Sequence, residues 1–139
     1  MLQPFIHELR LDVHIFDTDC FGVMWHGAYV KWLEMGRVEL MNSMGIRLSK
    51  PGEEAGYVYP VVDQHFRFRS PAQMADKLLL TTSVTINGHK LVFEQTFSQQ
   101  ETEKIVMQAT TTVVVVDMQW RTQRRLPAEL LQKLQEASA

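Results

Sequence analysis

Apolar residues fall on every second position in several stretches of the chain, a pattern typical of strands that bury one face. The first such stretch runs from Phe5 to Ile15 and keeps its apolar residues on one parity, at Leu9, Leu11, Val13 and Ile15. The later stretches are Tyr57 to Arg69, Leu78 to Ile86, Leu91 to Phe97 and Ile105 to Met118. The Asn87-Gly88 pair, between the third and fourth stretches, favours a hairpin turn.

Between the first two strands, the apolar period changes to that of a helix, from Ala28 to about Met44. Its apolar positions extend nearly all round, which predicts a buried helix, and Gly45 is a suitable place for it to end. Gly36 lies inside the helix at a cost of about 1 kcal/mol relative to alanine. A close approach of the sheet would explain a glycine there. Pro127 begins a second, short amphipathic helix with Leu130, Leu131 and Leu134 on one face.

One long buried helix followed by antiparallel strands predicts an α+β fold, with the sheet curled around the helix. We expect a single domain over residues 1–139, because this length leaves no room for a second core. Such a sheet has open edges, and the helix would need further cover. The pattern therefore predicts a homo-oligomer.

Composition and charge exclude several classes of protein. The net charge of −2, from 14 basic and 16 acidic residues, argues against a general nucleic-acid surface. Cys20 is the only cysteine, so no disulfide can form within the chain, in keeping with a reducing compartment. The first residues predict no secretory signal, and the longest apolar run, Val113 to Val116, is far short of the ~20 residues of a membrane helix. We expect a soluble, cytoplasmic protein without a membrane span.

The loop that leads into the long helix contains the most informative chemistry, since Asp17 and Asp19 precede a segment with Gly22 and the helix start. Backbone N–H groups at a helix start are unpaired and attract negative charge, so they can bind an oxyanion. A nearby carboxylate can attack a carbonyl or deprotonate a water. Helix or turn capping is the alternative role for such acids. Spacing alone does not choose between the two aspartates.

The whole series of residues around this loop resembles the signature of the 4-hydroxybenzoyl-CoA thioesterase family. The matching positions are Asp17, Thr18, Asp19, Gly22, Val23, His26, Tyr29, Val30, Glu34, Arg37 and Glu39. The resemblance continues in order through Phe66 to Ala72, Leu91 to Phe93 and the valine-rich strand ending at Asp117. It is closest to the small bacterial acyl-CoA thioesterases associated with the Tol–Pal gene cluster. It implies a hotdog fold, an antiparallel sheet wrapped around one long central helix.

The resemblance also assigns roles. It implies hydrolysis of an acyl-CoA, aliphatic or aromatic, with Asp19 as nucleophile or general base. The backbone N–H of His26, at the helix start, would polarise the thioester carbonyl, and Gly22 would keep the loop tight beside the substrate. Active sites in this family lie between the subunits of a homodimer, and many members form homotetramers. No cofactor and no metal are implied.

Four more residues are candidates for substrate binding. Trp25 and Tyr57 are placed to form an acyl-facing wall, and Arg69 and Lys90 are basic residues suited to the phosphates of coenzyme A. Met24-Trp25 stands where the closest branch usually has an aliphatic residue and a tyrosine, whereas benzoyl-specific members of the family have a tryptophan at the position of Trp25, so aromatic and aliphatic acyl groups both stay candidates.

Two other functions remain as alternatives. A hydroxyacyl thioester dehydratase on the same fold uses a histidine with an acidic partner, but the His-Phe-Pro type segment of the acyl-carrier-protein dehydratases is missing. A non-enzymatic acyl-thioester binding protein would have no need of the Asp19 carboxylate. The spacing of His14, Asp17, Asp19 and His26 matches no standard metal motif.

Overall fold

The computed structural model describes residues 5–46 and 56–137, and within them a five-stranded antiparallel sheet packs against one long helix. The main strands are β1 (Ile6–Asp12), β3 (Val61–Phe68), β4 (Lys77–Asn87), β5 (Lys90–Gln99) and β6 (Ile105–Val114). A two-stranded ladder joins β2 (Tyr57–Val58) to β7 (Val116–Asp117), and the helices are α1 (His26–Ser43) and α2 (Ala128–Ala137). The order in the large sheet is β1-β4-β5-β6-β3. This is the α+β arrangement that the apolar pattern predicts, and it is the hotdog fold that the resemblance implies.

Two predicted strands are each interrupted in the structure. The stretch from Tyr57 to Arg69 is divided into β2 and β3 at Pro60, which lacks the N–H that a continuous ladder needs. The stretch from Ile105 to Met118 is divided at Val115, after which β7 leaves the large sheet to pair with β2. The prediction of burial along the valine run is confirmed, since all four side chains from 113 to 116 are buried.

Helix α1 begins at His26, two residues before the predicted start, and ends at Ser43. Within a single chain it buries only the face that meets the sheet, so the prediction of burial on nearly all sides is wrong for the isolated chain. Lys31, Met35 and Glu39 are exposed. The physical reason is that one sheet contacts only one face of a helix.

Two apolar clusters fill the space between α1 and the sheet. The first surrounds the start of α1 and includes Leu11, Met24, Leu33, Phe97 and Val106. The second surrounds its end and includes Leu40, Met41, Leu91, Phe93, Val113, Leu130 and Leu134. Of the predicted apolar face of α2, Leu130 and Leu134 are buried in this second cluster, while Leu131 is half-buried. No helix in the described parts of the chain is long and apolar enough to cross a membrane.

A pair of buried polar side chains, Thr82 and Gln95, lies between the two clusters, and we call it the polar layer. The two residues face each other across β4 and β5. The Gln95 side-chain amide donates to the Leu33 carbonyl at 2.9 Å and to Thr82 Oγ1 at 3.1 Å. Gly36 packs directly on this layer, where an added Cβ would lie 2.8 Å from Leu80 Cδ2 and 2.9 Å from each polar partner. The close approach predicted from Gly36 is therefore confirmed.

Candidate active site

The loop between β1 and α1 folds back on itself as a short hairpin. The Trp25 N–H donates to the Asp17 carbonyl at 3.0 Å, and the Asp19 N–H donates to the Val23 carbonyl at 2.9 Å. At the tip, the Gly22 N–H donates to the Asp19 carbonyl at 3.0 Å, and Gly22 has a φ of +78°. Glycine tolerates this left-handed backbone without strain, which accounts for its position in the turn.

Contacts with the segment before β4 hold this hairpin against the sheet. The Met24 N–H donates to the Ala72 carbonyl at 2.8 Å, and the Met74 N–H donates to the Gly22 carbonyl at 3.3 Å. Val23 and Gln73 form an antiparallel bridge between these two bonds. Because both sides of the loop are tied down, its carboxylates have defined positions relative to the helix start.

The Asp19 side chain is exposed and is oriented through one of its oxygens. Its Oδ1 accepts hydrogen bonds from the N–H groups of Phe21, at 2.9 Å, and Val23, at 3.4 Å. Its Oδ2 accepts none within the described residues. A carboxylate held in this way keeps one oxygen free for a water or a substrate.

The start of α1 provides hydrogen-bond donors next to this hairpin. The N–H groups of Ala28 and Tyr29 donate to the Trp25 carbonyl, at 3.0 and 3.4 Å. Those of His26 and Gly27 find no acceptor in the described ranges. These are the unpaired donors expected in the first turn of a helix, where the helix dipole also favours negative charge. They can stabilise an oxyanion that approaches the helix start.

Aromatic side chains surround the helix start. The Trp25 indole, half-exposed, lies over the Cα of Gly27, where any Cβ would overlap its six-membered ring. The His26 ring packs against Phe66 and Phe68, with ring centroids 5.4 and 6.3 Å apart. The imidazole therefore has a packing role in this structure, while its backbone N–H is free.

Asp17 differs from Asp19 in its burial and in its cationic partner. Its side chain is buried, and it accepts hydrogen bonds from the Lys31 ammonium at 2.9 Å and from the His14 N–H at 3.1 Å. Burial raises the pKa of the Asp17 carboxyl, but the bonds from Lys31 and His14 outweigh it, and the net pKa is lower than usual. These contacts tie the loop after β1 to α1, which is a structural role.

Replacing Asp17 with asparagine is expected to lower the free energy of unfolding at pH 7 by about 1.5–3 kcal/mol, the range for hydrogen bonds to charged groups. The folded carboxyl titrates below the unfolded value of about 3.9. Its stabilisation is therefore complete above that pH and is lost as the pH falls through the folded pKa. Urea unfolding at pH 7 and at about pH 3 should show that the variant loses less stability in acid than the wild type.

Asp12→Asn is a matched control, since the Asp12–Lys77 pair, at 3.3 Å, is exposed on both sides. Exposed pairs contribute at most about 1 kcal/mol. An equal loss of stability in the two variants would contradict a structural role for buried Asp17.

A shallow pocket of about 340 Å³ opens beside the Asp19 hairpin. Its lining residues come from the hairpin, from α1 and from the end of β3, and they are Val23, Met24, Tyr29, Phe68, Arg69, Ser70 and Pro71. The Arg69 Nε donates to Gln108 Oε1 at 3.1 Å. The structure thus brings Gly22, Trp25, His26 and Arg69 to the same end of the molecule as Asp19.

Lys90 and Tyr57 lie at the other end of the sheet within one chain. Strand β4 begins at Lys77, beside the hairpin, and ends at Asn87, which pairs with Lys90. Ten residue steps of a strand span about 33 Å, so Lys90 is that far from the hairpin along the sheet. Tyr57 is half-buried in β2 and packs on the second apolar cluster. Lys90 therefore lies too far from the loop of its own chain to contact it.

Sequence reasoning assigned no role to two polar residues in the middle of the molecule, Gln95 and Arg37, although Arg37 is among the positions that resemble the family signature. Arg37 Nη1 donates to Gln95 Oε1 at 3.3 Å. The signal for Gln95 was an interruption in the apolar row of its strand, since Leu91, Phe93 and Phe97 share its parity. A polar residue on a buried face needs partners there. No local pattern indicated that Arg37 would be one of them.

The histidines near the loop contact aromatic rings instead of a shared centre. The His14 ring stacks on Phe16, with centroids 5.0 Å apart, and the His26 ring packs on Phe66. Over residues 5–46 and 56–137, no three His, Cys, Asp or Glu side chains are grouped as a metal site requires.

Comparison with known proteins identifies relatives over most of the chain. It is 28% identical to the acyl-CoA thioester hydrolase YbgC of Escherichia coli O157:H7 over 126 residues, which cover 89% of this chain and 92% of that protein. It is 28% identical to the putative acyl-CoA thioesterase YneP of Bacillus subtilis over 89 residues, or 63% of this chain. A 25% identical match covers 85% of the chain and belongs to an acyl-acyl carrier protein thioesterase of Arabidopsis thaliana, ATL2. The chain spans less than two thirds of YneP and of ATL2, 64% and 63% of their lengths.

Solved structures share the fold. The 1,4-dihydroxy-2-naphthoyl-CoA thioesterase Slr0204 from Synechocystis superposes with a TM-score of 0.81 at 21% identity, covering 93% of this chain and 94% of that one. A probable thioesterase from Bartonella henselae gives a TM-score of 0.77 at 25% identity, covering 88% of this chain and 99% of that one. A family model described as the thioesterase-like superfamily matches residues 13–134. Since this match includes the hairpin, α1 and four of the five strands of the large sheet, the chain belongs to the thioesterase-like superfamily.

Proposed function

We propose that this protein hydrolyses an acyl-CoA thioester to a free acid and coenzyme A, with Asp19 as the catalytic carboxylate. The observation that carries the proposal is the Asp19 turn beside the start of α1. One carboxylate oxygen is held by backbone N–H groups, the other accepts no hydrogen bond from the described residues, and the hairpin leads directly into the first turn of α1, where two N–H groups lack an acceptor in the same part of the chain. Similarity to YbgC, a named acyl-CoA thioester hydrolase, over 89% of the chain supports the same reaction.

The chemistry follows from these two features. The thioester carbonyl oxygen accepts a hydrogen bond from the His26 N–H, which makes the carbonyl carbon more electrophilic. Asp19 takes a proton from a water as the water oxygen bonds to that carbon. The tetrahedral oxyanion then collapses, the carbon–sulfur bond breaks, and the thiolate leaves and is protonated. In a second route the Asp19 carboxylate itself attacks the carbonyl carbon, the carbon–sulfur bond breaks and the thiolate leaves and is protonated, and water then hydrolyses the mixed anhydride to the free acid and the Asp19 carboxylate.

The remaining substrate contacts are also proposals. The aromatic side chains of Trp25, Tyr29 and Phe68 border the helix start and the pocket beside it, which suits an aromatic or aliphatic acyl group. Arg69 lines the same pocket and is a candidate partner for a phosphate of coenzyme A. Lys90 lies too far from Asp19 in its own chain to share its site, so it would contact that substrate only in an assembly of two or more chains.

We also propose a homodimer or homotetramer formed by a single thioesterase domain over residues 1–139. Strand β3 is an edge strand of the large sheet, and Val61, Val62 and Phe68 on it are exposed. An edge of this kind can pair with a second chain. A cytoplasmic location remains a prediction from the single cysteine, Cys20.

A panel of thioesters from benzoyl-CoA to palmitoyl-CoA tests the function directly. Free coenzyme A should accumulate over many turnovers with at least one member. Cys20 is exposed and reacts with thiol reagents, so coenzyme A is best quantified by chromatography. Conversion of a hydroxyacyl-CoA to an enoyl-CoA, without release of coenzyme A, would identify a dehydratase instead. Binding of the thioesters without any turnover would identify a binding protein.

A further inference from the structure

The segment before β4, residues 72–76, supports the hairpin that carries Asp19. Gln73 lies opposite Val23 in an antiparallel bridge. The two hydrogen bonds of this bridge belong to the neighbouring residues, so the N–H and the carbonyl of Gln73 point away from the hairpin. Val23 in turn holds Asp19, because it donates its N–H to Asp19 Oδ1 at 3.4 Å and accepts the Asp19 N–H at 2.9 Å. The position of Asp19 therefore depends on the position of Gln73.

Asp76 holds Gln73 from the side opposite the hairpin. Its Oδ2 accepts the Gln73 N–H at 2.8 Å, and the Gln73 carbonyl accepts the Asp76 N–H at 3.0 Å. The same Oδ2 accepts the side-chain amide of Gln99, at the end of β5, at 3.0 Å. The Asp76 carbonyl accepts the N–H of Val13, just after β1, at 2.9 Å. Asp76 thus links the support of the hairpin to the ends of two strands of the large sheet.

The turn that Asp76 closes contains a strained residue. Ala75 has a φ of +74°, in the left-handed region that is unfavourable for a residue with a Cβ. Such a conformation persists only where the surrounding contacts impose it. The Ala75 N–H donates to the Val13 carbonyl at 2.9 Å, and the Asp76 carboxylate supplies a further contact through Gln73. Without that carboxylate, we expect the turn to relax and Gln73 to shift.

We propose that Asp76 is a positioning residue, whose carboxylate fixes Gln73 and, through Val23, the Asp19 carboxylate. Its effect on catalysis rests on the proposed function, whereas the positioning depends on these contacts alone. The acceptor oxygen carries the role and the negative charge does not, because both donors to this carboxylate within the described residues are neutral N–H groups. Misplacing a catalytic group by about 1 Å costs about 10²-fold in rate, so a small shift of the hairpin is enough to be measured.

Three variants separate the acceptor oxygen from the charge. Asp76→Ala removes both, and it should lower kcat for coenzyme A release by about 10- to 100-fold with little change in KM, since a misplaced base weakens the transition state more than substrate binding. Asp76→Asn keeps an acceptor oxygen without the charge, and its kcat should stay within about threefold of the wild type. Asp76→Glu keeps the charge but displaces the oxygens, and its kcat should lie below that of Asp76→Asn. Asp12→Ala is the matched control, because it removes an exposed carboxylate that pairs with the Lys77 side chain, and it should leave kcat unchanged.

Amide hydrogen exchange, followed by NMR, gives a reading that does not depend on activity. In Asp76→Ala, the N–H groups of Asp19 and Met24 should exchange at least about tenfold faster than in the wild type, whereas those in the middle of β4 and β5 should keep their rates. A general loss of stability would instead accelerate exchange along the whole sheet. Asp76→Asn should exchange as the wild type does.

The proposal is overturned if Asp76→Ala keeps the kcat of the wild type, if Asp76→Asn loses as much as Asp76→Ala, or if exchange in the hairpin does not change. Circular dichroism and thermal unfolding check that each variant is folded, and Asp76→Glu gives a second reading if Asp76→Ala is not. If the wild type releases no coenzyme A from any thioester, the proposed function alone fails, and the exchange rates still decide whether Asp76 positions Asp19. Turnover by the wild type and by Asp76→Ala at equal rates would contradict the positioning role alone.

Discussion

Asp19→Asn is expected to lower kcat for acyl-CoA hydrolysis by about 10²–10⁴-fold, the contribution of a positioned general base. Asparagine retains the oxygen that accepts the Phe21 N–H at 2.9 Å, so the turn is expected to survive. It loses the negative charge that takes the proton from water or attacks the carbonyl carbon. The measurement is the steady-state rate of coenzyme A release with the best substrate of the panel.

Two further variants separate loss of chemistry from loss of structure. Asp12→Asn removes an exposed carboxylate elsewhere on the surface and should leave kcat unchanged. Asp19→Glu keeps the charge but displaces it by one methylene, and an intermediate rate is expected because geometry controls general-base catalysis. The catalytic assignment fails if Asp19→Asn and the wild type release coenzyme A at equal rates while both are folded.

Gly36→Val is expected to reduce the free energy of unfolding by about 3 kcal/mol, at the upper end of the usual cost of overpacking a core. The first added carbon alone would come within 2.9 Å of Leu80, Thr82 and Gln95 side-chain atoms. These neighbours have little room to move, because Leu80 is fully buried and Gln95 is fixed by two hydrogen bonds. Urea unfolding followed by circular dichroism provides the measurement.

Met35→Val is the matched control for Gly36→Val, because it places the same side chain on the adjacent, 41% exposed position of α1. Surface substitutions usually change stability by less than about 0.5 kcal/mol. The loss of stability in Gly36→Ala should lie between the losses in the two valine variants. Alanine has a higher helix propensity than glycine, which offsets about 1 kcal/mol of the cost of the close contact. If valine at position 36 lowers the free energy of unfolding by no more than valine at position 35 does, the close contact between α1 and the polar layer is contradicted.

Local periodicity was sufficient to predict the helices and strands, but not how the strands pair. Strand β3 lies beside β6, 37 or more residues later in the chain, and not beside β4, which follows it directly. Such long-range pairing leaves no local pattern. The breaks at Pro60 and Val115 were missed for a related reason. Apolar side chains continue through both of them, although the backbone pairs with a different strand on each side.

The candidate site could be predicted only in part. The chain order of Asp19, Gly22 and His26 sufficed to select one loop, because all three lie within a single hairpin and the helix that follows it. Lys90 was selected by its place after a turn, and the length of β4 puts it at the far end of the sheet. Arg37 and Gln95 are separated by 58 positions, and their hydrogen bond depends on how the helix crosses the sheet. That crossing requires the folded structure.

The polar layer also determines where α1 begins. If the helix slid along the sheet by one turn, about 5.4 Å, Leu40 would replace Gly36 opposite Thr82 and Gln95. The larger side chain would overpack the contact with Thr82 and Gln95, at a cost of about 1–3 kcal/mol. Gly36 and the Gln95 amide therefore fix the register of α1 on the sheet. This contact lies about 15 Å along the helix from the first turn, and it sets the position of the free N–H groups there relative to the Asp19 hairpin. The residues around those N–H groups can therefore vary without misaligning them.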